Sequence, residues 1–338
     1  MSKKKGVLIV GEFTGDRLFS LSAELLGIGR RLATELAEDL SAVVIGSGAA
    51  GVAEEAVSLG ADRVYVIDNP LVRDYTNDGY VAAMERLNSC VAPEIILFGH
   101  TATSMDLAPR LAFRLETAVT LDCIELSIDP DTKLMLKTKP IYGGNAMAVY
   151  TGEGRPQMAT IRAKVFEPPE RDASRTGEIL PFNPALDRSA IRQRVIKKVK
   201  EAVSGVRLEE AGFIVCGGRG MGGAEAFEQL ADLAGLFNGA MGSTRPPCDF
   251  GWVPSHLLIG LTGKLVTPDV YIGVALSGSS QHQAGMSGSK HIIAINRDPE
   301  ANIFRIAQYG VVGDYKRILP AFIAKCRELL YKGKVGIK

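Results

Sequence analysis

The sequence predicts an α/β protein of two domains, each with an open, mainly parallel sheet flanked by helices. Apolar runs of strand length alternate with longer amphipathic stretches of helix length along much of the chain. The chain contains 37 glycines in 338 residues, and many follow the apolar runs, as is typical where strands of α/β proteins end. A proline-rich, polar segment at 166–187 separates two stretches with this pattern, which indicates a domain boundary.

In the first half, the apolar runs lack polar alternation, so they are typical of strands buried on both faces. The predicted strands are 6–10, 41–46, 63–67 and 94–99, and the predicted helices are 20–40, 52–59, 80–91 and 107–115. Between 118 and 166 the pattern changes to β-rich runs at 118–120, 146–150 and 157–165, separated by Gly and Pro. We expect these runs to form antiparallel additions to the same domain.

The second half repeats the alternation of strands and helices. Strands are predicted at 212–216, 270–276 and 291–296, and helices at 224–236, just after 277–280 and at 316–330. A basic helix is expected at 189–203, whose cations fit a solvated face, with a docking patch as the alternative. These limits predict an N-terminal domain at 1–186, a linker and helix at 187–207, and a C-terminal domain at 208–338.

The composition argues against several classes of protein. The formal net charge is +1, whereas a nucleic-acid-binding protein would carry a clear basic excess. The five cysteines are scattered without CxxC spacing, which argues against a disulfide framework, an iron–sulfur segment or a zinc site and fits a reducing cytoplasm. No apolar stretch is long enough to span a bilayer, so an integral membrane protein is not expected.

Ligands of open parallel sheets bind beyond the carboxyl ends of the strands, so site residues are expected to follow strands. The first such cluster is the GxGxxG sequence from Gly218 to Gly223, where small residues let backbone N–H groups approach a pyrophosphate. An NAD fingerprint also needs an acidic residue at the end of the next strand, and 238–242 has none. A tight turn explains the glycines equally well, but Arg219 among them indicates an anionic ligand.

Two further clusters place a cation or a hydroxyl on a turn. Arg245 lies between Thr244 and two prolines, so a permanently charged guanidinium is held where it can stabilise a ring that becomes anionic. Thr262 lies in a glycine-containing loop at 259–268 and can donate or accept a hydrogen bond. The alternatives are a surface arginine that caps a turn and an ordinary hairpin connection.

The remaining clusters follow the next two predicted strands. The small residues at 277–280 precede a short helix, whose unpaired first amides fit a phosphate. His282, in its first turn, is either a ligand contact or a structural histidine. Asn296 either pairs with a ribose or adenine edge or forms an Asn–Asp turn, and Asp314 follows a later glycine.

Taken together, the clusters predict a site for an anionic, phosphate-bearing cofactor. The sequence offers no plausible Ser/His/Asp triad, carboxylate pair or metal-ligand cluster. The residues alone leave FAD and NAD open. A nicotinamide-dependent dehydrogenase that uses the loop from Gly218 to Gly223 therefore remains an alternative, as does a non-catalytic nucleotide-binding regulator.

A set of motifs in the second half has a characteristic order and spacing. They are Thr244-Arg245, Asp249-Phe250-Gly251-Trp252-Val253-Pro254, Gly260-Leu261-Thr262-Gly263-Lys264, Ser277-Gly278, Gln281-His282, Ala284-Gly285-Met286, Ala294-Ile295-Asn296-Arg297-Asp298-Pro299 and Tyr309-Gly310-Val311-Val312-Gly313-Asp314. Together they resemble the signature of the electron-transfer flavoprotein α (large) subunit family. The first half is also similar, for example at Arg155-Pro156-Gln157-Met158-Ala159-Thr160-Ile161-Arg162, so the resemblance covers nearly the whole chain.

The resemblance implies that the C-terminal domain is Rossmann-like and binds one FAD. The implied cofactor contacts are Arg219, Thr244, Arg245, Ile259, Gly260, Leu261, Thr262, Ser277, Gly278, Ser279, Ser280, Gln281, His282, Asn296 and Asp314. Arg219 and 277–281 would contact the phosphates, and Asn296 and Asp314 would face the adenosine end. Thr244 and Arg245 would lie against the isoalloxazine, with Arg245 favouring its anionic reduced or semiquinone state. Thr262 would lie near flavin N5 and His282 near O2, so Arg245, Thr262 and His282 would serve the redox chemistry.

The resemblance also implies an electron carrier that works with partners rather than a stand-alone enzyme. The N-terminal domain would hold no cofactor and would pack against a β subunit, which would carry AMP or a second FAD. The electron donor would be a flavin dehydrogenase of the acyl-CoA dehydrogenase type, and electron bifurcation with NADH is left open. Two departures from the family pattern concern the flavin: Leu261 stands where Gln is usual, and Pro246-Pro247-Cys248 replaces an Ala-Ala-Val run and stiffens the turn of Arg245.

Overall fold

A computed structural model describes residues 5–144, 146–199 and 205–336. The chain divides into two compact units. The described residues up to Pro140 form the first unit together with Met147–Val199, and the described residues within 141–146 belong to the second unit with the described residues from 205 onward. The second unit is therefore entered twice by the chain, once through a short turn from the first half of the sequence.

The first unit is an α/β domain in which helices alternate with strands in the first hundred residues. Its elements are β1 (Val7–Gly11), β2 (Phe13–Thr14), β3 (Arg17–Leu18), α1 (Ser20–Leu36), β4 (Leu40–Ile45), α2 (Ala53–Ser58), β5 (Arg63–Ile67), α3 (Asn77–Val91), β6 (Ile95–Gly99), α4 (Ala102–Arg114), β7 (Val119–Cys123), β8 (Glu125–Ile128), β9 (Met135–Ile141), β10 (Ala146–Tyr150), β11 (Gln157–Ile161) and β12 (Glu178–Pro181). The predicted parallel α/β architecture is confirmed.

Within the described residues, the main sheet of this unit has seven strands in the order β12-β5-β4-β1-β6-β11-β7, and all neighbours are parallel. The expectation that the runs near 118–120 and 157–165 are antiparallel additions is wrong, because β7 and β11 join this sheet in the parallel direction. Every residue of β11 is buried, as is typical of a strand covered on both faces. The run at 146–150 is β10 of a separate sheet in the order β10-β9-β8, in which β8 and β9 are antiparallel, and β2 and β3 form a second antiparallel pair.

The end of α1 differs from the helix predicted to residue 40. The helix ends at Leu36 because Ala37 adopts the left-handed conformation, with φ 55° and ψ 45°, and its N–H bonds back to Thr34 O. Leu40 instead begins β4, where it pairs with Val7 of β1. The apolar residues at the end of the helical pattern therefore belong to a strand.

The basic segment after 187 does not form the predicted helix over 191–199, and the rest of that prediction, 200–203, lies outside the described residues. The Arg192 backbone N–H donates to Asp78 Oδ2 (3.0 Å), and Lys198 Nζ lies 2.5 Å from Asp74 Oδ1. Ile196 in this segment is 89% exposed. Contacts with acidic side chains of the first unit thus take the place of helical hydrogen bonds.

The second unit repeats the α/β arrangement on a smaller scale. Its elements are β13 (Phe213–Gly217), α5 (Phe227–Leu236), β14 (Ala240–Ser243), α6 (Arg245–Asp249), β15 (Val270–Val274), α7 (Ser280–Ala284), β16 (His291–Asn296), β17 (Tyr309–Val312) and α8 (Tyr315–Gly336). The described strands form one sheet in the order β14-β13-β15-β16-β17, with parallel neighbours throughout. Two apolar clusters, one containing Ile214 and Tyr271 and the other Val215 and Leu230, form its core.

Candidate functional site in the second unit

The carboxyl ends of the five parallel strands lie at one edge of the second sheet. The residues that follow these ends carry most of the polar groups predicted for the site. Arg219 comes two residues after β13, Thr244 directly after β14, and Ser277 three residues after β15. Asn296 is the last residue of β16, and Asp314 comes two residues after β17. Because ligands of open parallel sheets bind at this edge, the topology places the candidate residues where a ligand is expected.

Arg245 and Thr262 contact each other although 17 residues separate them in sequence. The Arg245 Nη2 donates to Thr262 Oγ1 over 2.7 Å, and its Nη1 lies 3.6 Å from Asp249 Oδ1. Arg245 is the first residue of α6, after the N-cap Thr244, and Pro246 in the first turn fits the start of a helix. The Arg245 side chain is 57% exposed, so its charge remains accessible to a ligand.

The loop that carries Thr262 is bound to α7 by the backbone. Leu261 N–H donates to Gln281 O over 2.8 Å. Gly260 has a φ of 149°, which side-chain-bearing residues rarely adopt. A Cβ added to Gly285 would lie 2.4 Å from Gly260 N, so the glycine at 285 permits a close approach of the two backbones. The predicted contacts Ile259, Gly260, Leu261 and Thr262 thus belong to a loop that is held against the predicted phosphate turn.

His282 lies in the core and is only 3% exposed. Its Nδ1 is 3.0 Å from Ile259 O, and its Nε2 is 2.7 Å from the Tyr271 hydroxyl. A carbonyl only accepts hydrogen bonds, so Nδ1 carries the proton and Nε2 accepts from Tyr271. Burial lowers the pKa of His282 to about 4, which keeps the ring neutral near pH 7. Both ring nitrogens are engaged by the protein, and the predicted contact of His282 with a ligand stays a prediction.

The turn at 277–281 combines an exposed polar surface with a backbone constraint. Ser277, Ser279, Ser280 and Gln281 are exposed, and no side chain caps the first turn of α7. Gly278 is buried with a φ of 74°, and an added Cβ would lie 2.4 Å from the backbone nitrogen of Ile303. Exposed hydroxyls beside uncapped amides fit the oxygens of a phosphate group.

Arg219 lies on the glycine-rich turn after β13 and is exposed. Gly220 N–H donates to Ala275 O over 3.0 Å, and a Cβ on Gly218 would lie 2.5 Å from the same oxygen. These glycines therefore allow the turn to pack against the end of β15. No acidic side chain in the described part of the chain forms an ion pair with Arg219, so its charge is available for an anionic ligand.

Asn296 and Asp314 use their side chains to hold the backbone. Asn296 Nδ2 donates to Leu276 O over 2.7 Å, and its Oδ1 accepts from Asp298 N–H. Asp314 Oδ1 accepts from the Lys316 N–H over 2.9 Å, at the start of α8. The Asx-turn alternative for Asn296 is thus present in the structure, and a contact with an adenosine group stays a prediction for both residues.

Two residues beside the site were not found from sequence. Tyr271 is fully buried in β15, and its hydroxyl bonds to His282. A tyrosine within an apolar strand needs a polar partner when it is buried, and that need is the signal that could have revealed it. Ala275 adopts a φ of 52° directly after β15, a conformation for which glycine is the usual residue and alanine gives no sequence signal.

Fold and site together define an α/β protein that can hold an anionic, phosphate-bearing cofactor at the carboxyl edge of its second sheet. Residues 7–187 match the electron transfer flavoprotein domain, and residues 207–287 match the electron transfer flavoprotein FAD-binding domain. The chain belongs to the electron transfer flavoprotein α-subunit family.

Relatives along nearly the full length support this assignment. The electron transfer flavoprotein subunit alpha of Thermoanaerobacterium thermosaccharolyticum is 42% identical over 97% of this chain and 100% of its own. The protein of that name from Bacillus subtilis is 38% identical, over 96% of this chain and 98% of its own. Protein FixB of Clostridium saccharobutylicum is 39% identical, over 96% of this chain and 97% of its own.

Two features are absent from residues 5–144, 146–199 and 205–336. None of the helices in these ranges combines the length and the apolar character that crossing a membrane requires. No group of three or more His, Cys, Asp or Glu side chains in the same ranges is arranged to hold a metal ion. All five cysteines are free thiols.

Proposed function

We propose that this chain is the FAD-bearing subunit of an electron-carrying heterodimer. In this proposal it takes electrons from a flavin dehydrogenase and passes them to a second redox partner. The observation that carries the proposal is the exposed Arg245–Thr262 pair at the carboxyl edge of the second sheet, within 2.7 Å of each other. A fixed cation and an adjacent hydroxyl suit a ring whose charge changes during redox chemistry.

The residues present fit FAD by their chemistry. When bound, FAD would supply an isoalloxazine ring that accepts and releases electrons. Arg219 and the turn at 277–281 would hold the phosphates, since they offer a cation and exposed hydroxyls. Arg245 would stabilise negative charge on the reduced ring, and Thr262 would hydrogen-bond near its N5. Thr244, the loop at 259–261, Asn296 and Asp314 would complete the contacts.

The nicotinamide alternative has less support. Its fingerprint needs an acidic residue after the strand that follows the glycine loop, where it binds a ribose hydroxyl. That strand is β14, which is followed by Thr244 and Arg245. A cation at this place suits a ligand that gains negative charge, and the relatives from Thermoanaerobacterium thermosaccharolyticum and Bacillus subtilis are flavoproteins by name. A nucleotide-binding regulator carries out no redox chemistry, so it would not need a cation such as Arg245 beside a redox-active ring.

The partners are proposed on family grounds. The first unit would pack against a β subunit, and that subunit would carry AMP or a second FAD. The dehydrogenase would be of the acyl-CoA dehydrogenase type, and a reducing cytoplasm would suit the five free thiols. Electron bifurcation with NADH would require a second flavin and a nicotinamide site in the β subunit.

The test is to produce the chain together with its β subunit and to identify and count the bound cofactors. We expect a yellow heterodimer that releases one FAD from this chain on denaturation. A total of one FAD and one AMP would indicate a simple carrier, and two FAD would indicate the bifurcating type. A folded but colourless heterodimer that does not take up added FAD would refute the proposal.

A further inference from the structure

We infer that Tyr271 and His282 form a buried clamp that holds the loop of Ile259 and Thr262 against α7. Tyr271 is assigned a positioning role, through His282, for the ring-binding side of the site. The assignment of the loop to a flavin ring rests on the proposed function, whereas the clamp itself rests on contacts within the second unit.

The first step is the direction of the two hydrogen bonds. Tyr271 is fully buried in β15, and its hydroxyl lies 2.7 Å from His282 Nε2. His282 Nδ1 lies 3.0 Å from Ile259 O, which only accepts. His282 must therefore donate from Nδ1, and its Nε2 must accept from Tyr271. The tyrosine thus selects the one neutral form of the imidazole that can hold the Ile259 carbonyl.

The second step is what the Ile259 carbonyl holds. The next two residues are Gly260 and Leu261, and Leu261 N–H donates to Gln281 O on the helix that carries His282. The loop is thus attached to α7 at Ile259, through the His282 side chain, and at Leu261, through the backbone. Thr262 follows directly and accepts the hydrogen bond of Arg245. Displacement of Ile259 would therefore displace the contact between Arg245 and Thr262.

The third step separates a clamp from an ordinary buried histidine. In the side-chain geometry of Asn, the amide nitrogen occupies a place close to His Nδ1, whereas the amide nitrogen of Gln lies close to His Nε2. His282→Asn can therefore keep the donor to Ile259 O. His282→Gln loses this donor and keeps only an amide group beside the Tyr271 hydroxyl. A clamp predicts that these two variants differ in the loop, whereas a histidine that only fills space predicts equal effects.

The experiment uses the full-length heterodimer, with flavin bound and after flavin removal. Hydrogen exchange is measured for the loop amides of Leu261, Gly263 and Lys264, which donate to Gln281 O, Gly260 O and Leu258 O. We expect His282→Gln and Tyr271→Phe to exchange about tenfold faster at these amides, the effect of one lost buried hydrogen bond. His282→Asn should remain closer to the wild-type rate. The ring nitrogens of His282, followed by nitrogen NMR, should report a protonated Nδ1.

The matched control for Tyr271→Phe is Tyr315→Phe. Tyr315 is also buried in the second unit, and its hydroxyl donates to Met221 O over 2.6 Å, away from the loop. Tyr315→Phe should leave hydrogen exchange at Leu261, Gly263 and Lys264 unchanged.

Two outcomes would overturn the clamp: a protonated Nε2 on His282, or equal hydrogen exchange of the loop amides in His282→Asn and His282→Gln. Flavin loss in His282→Gln with unchanged loop exchange in the flavin-free protein would instead assign His282 to direct ligand contact. A heterodimer that never binds flavin would refute the proposed function yet leave the exchange comparison interpretable.

Discussion

Arg245 donates a hydrogen bond from Nη2 to the hydroxyl oxygen of Thr262 over 2.7 Å. Because a guanidinium only donates, the threonine oxygen must accept, and its own hydrogen remains available for another acceptor. The pair therefore presents a positive charge and an oriented hydroxyl on the same exposed surface. Both features favour a ligand whose ring carries an unprotonated nitrogen and accumulates negative charge.

The first prediction concerns the charge. Arg245→Ala should lower the midpoint potential of the bound flavin by on the order of tens of millivolts, because an anionic reduced ring loses a nearby cation. The measurement is a potentiometric titration of the heterodimer. Arg327→Ala is a suitable control. Arg327 lies on α8, forms an ion pair with Asp232 on α5 and is not among the proposed flavin contacts. Equal potentials in the wild type and Arg245→Ala would remove Arg245 from its proposed role.

The second prediction concerns the hydroxyl. Thr262→Ala should shift the flavin potential, because it removes both the oxygen that accepts from Arg245 and the hydrogen that can face the ring. Thr262→Ser retains the hydroxyl and should stay close to the wild type in the same titration. If Thr262→Ser and Thr262→Ala have the same flavin potential, the Thr262 hydroxyl makes no contact that depends on the redox state.

The third prediction is a dependence of stability on pH. Burial lowers the pKa of folded His282 to about 4, whereas the unfolded chain has the ordinary value of 6.5. Between these values the unfolded chain binds the proton and the folded chain does not, so stability falls as pH falls through this window. The full difference corresponds to about 3 kcal/mol. Urea unfolding of the wild type and His282→Asn from pH 7.5 to pH 4 should show the extra loss only in the wild type. Parallel curves for the two proteins would contradict a depressed pKa.

The fourth prediction concerns backbone strain beside the site. Ala275 has a φ of 52°, where a Cβ is unfavourable and glycine is not. Ala275→Gly should therefore raise stability by about 0.5–1 kcal/mol, after allowance for the greater freedom of glycine in the unfolded chain. Thermal unfolding measures the change. Ala294→Gly in β16 is the matched control, because Ala294 is buried in a strand, and it should destabilise the protein.

The fifth prediction concerns Glu12 in the first unit. Its carboxylate accepts from Thr101 Oγ1 (2.5 Å) and Ser104 Oγ (3.0 Å), and burial raises its pKa above 4.5 despite these bonds. The folded state therefore disfavours the charged form of Glu12, which lowers the free energy of unfolding at neutral pH. This loss of stability disappears as pH falls toward 4.5 and the folded protein binds the proton. Glu12→Gln keeps an acceptor oxygen without a charge, so it should be at least as stable as the wild type at neutral pH. A destabilised Gln variant in urea unfolding at pH 7 would contradict this reasoning.

Much of the fold could be predicted because buried parallel strands leave a local pattern. The predicted limits 63–67 and 291–296 are those of β5 and β16. The polar clusters around Arg219, Thr244 and Ser277 could be placed at one edge of a sheet, since parallel strands end at the same side. Apolar runs and the turns after them are patterns of adjacent residues. They can therefore be recognised in the sequence without knowledge of any long-range contact.

Other features depended on partners far away in sequence. The segment at 191–199 carries a helical pattern but binds Asp74 and Asp78, more than a hundred residues earlier. The direction of β11 depends on its pairing with β6, and no local pattern distinguishes a parallel neighbour from an antiparallel one at that length. In both cases the outcome depends on contacts between residues far apart in the sequence.

The sequence by itself determined the two-domain α/β architecture, the strand ends at which polar residues gather and the family. Only the tertiary structure decided that His282 lies in the core between Tyr271 and Ile259, and that Arg245 meets Thr262. The physical reason is that strand and helix patterns arise from burial repeated over neighbouring residues. The role of a polar side chain is decided by the donors and acceptors that folding brings within about 3 Å of it.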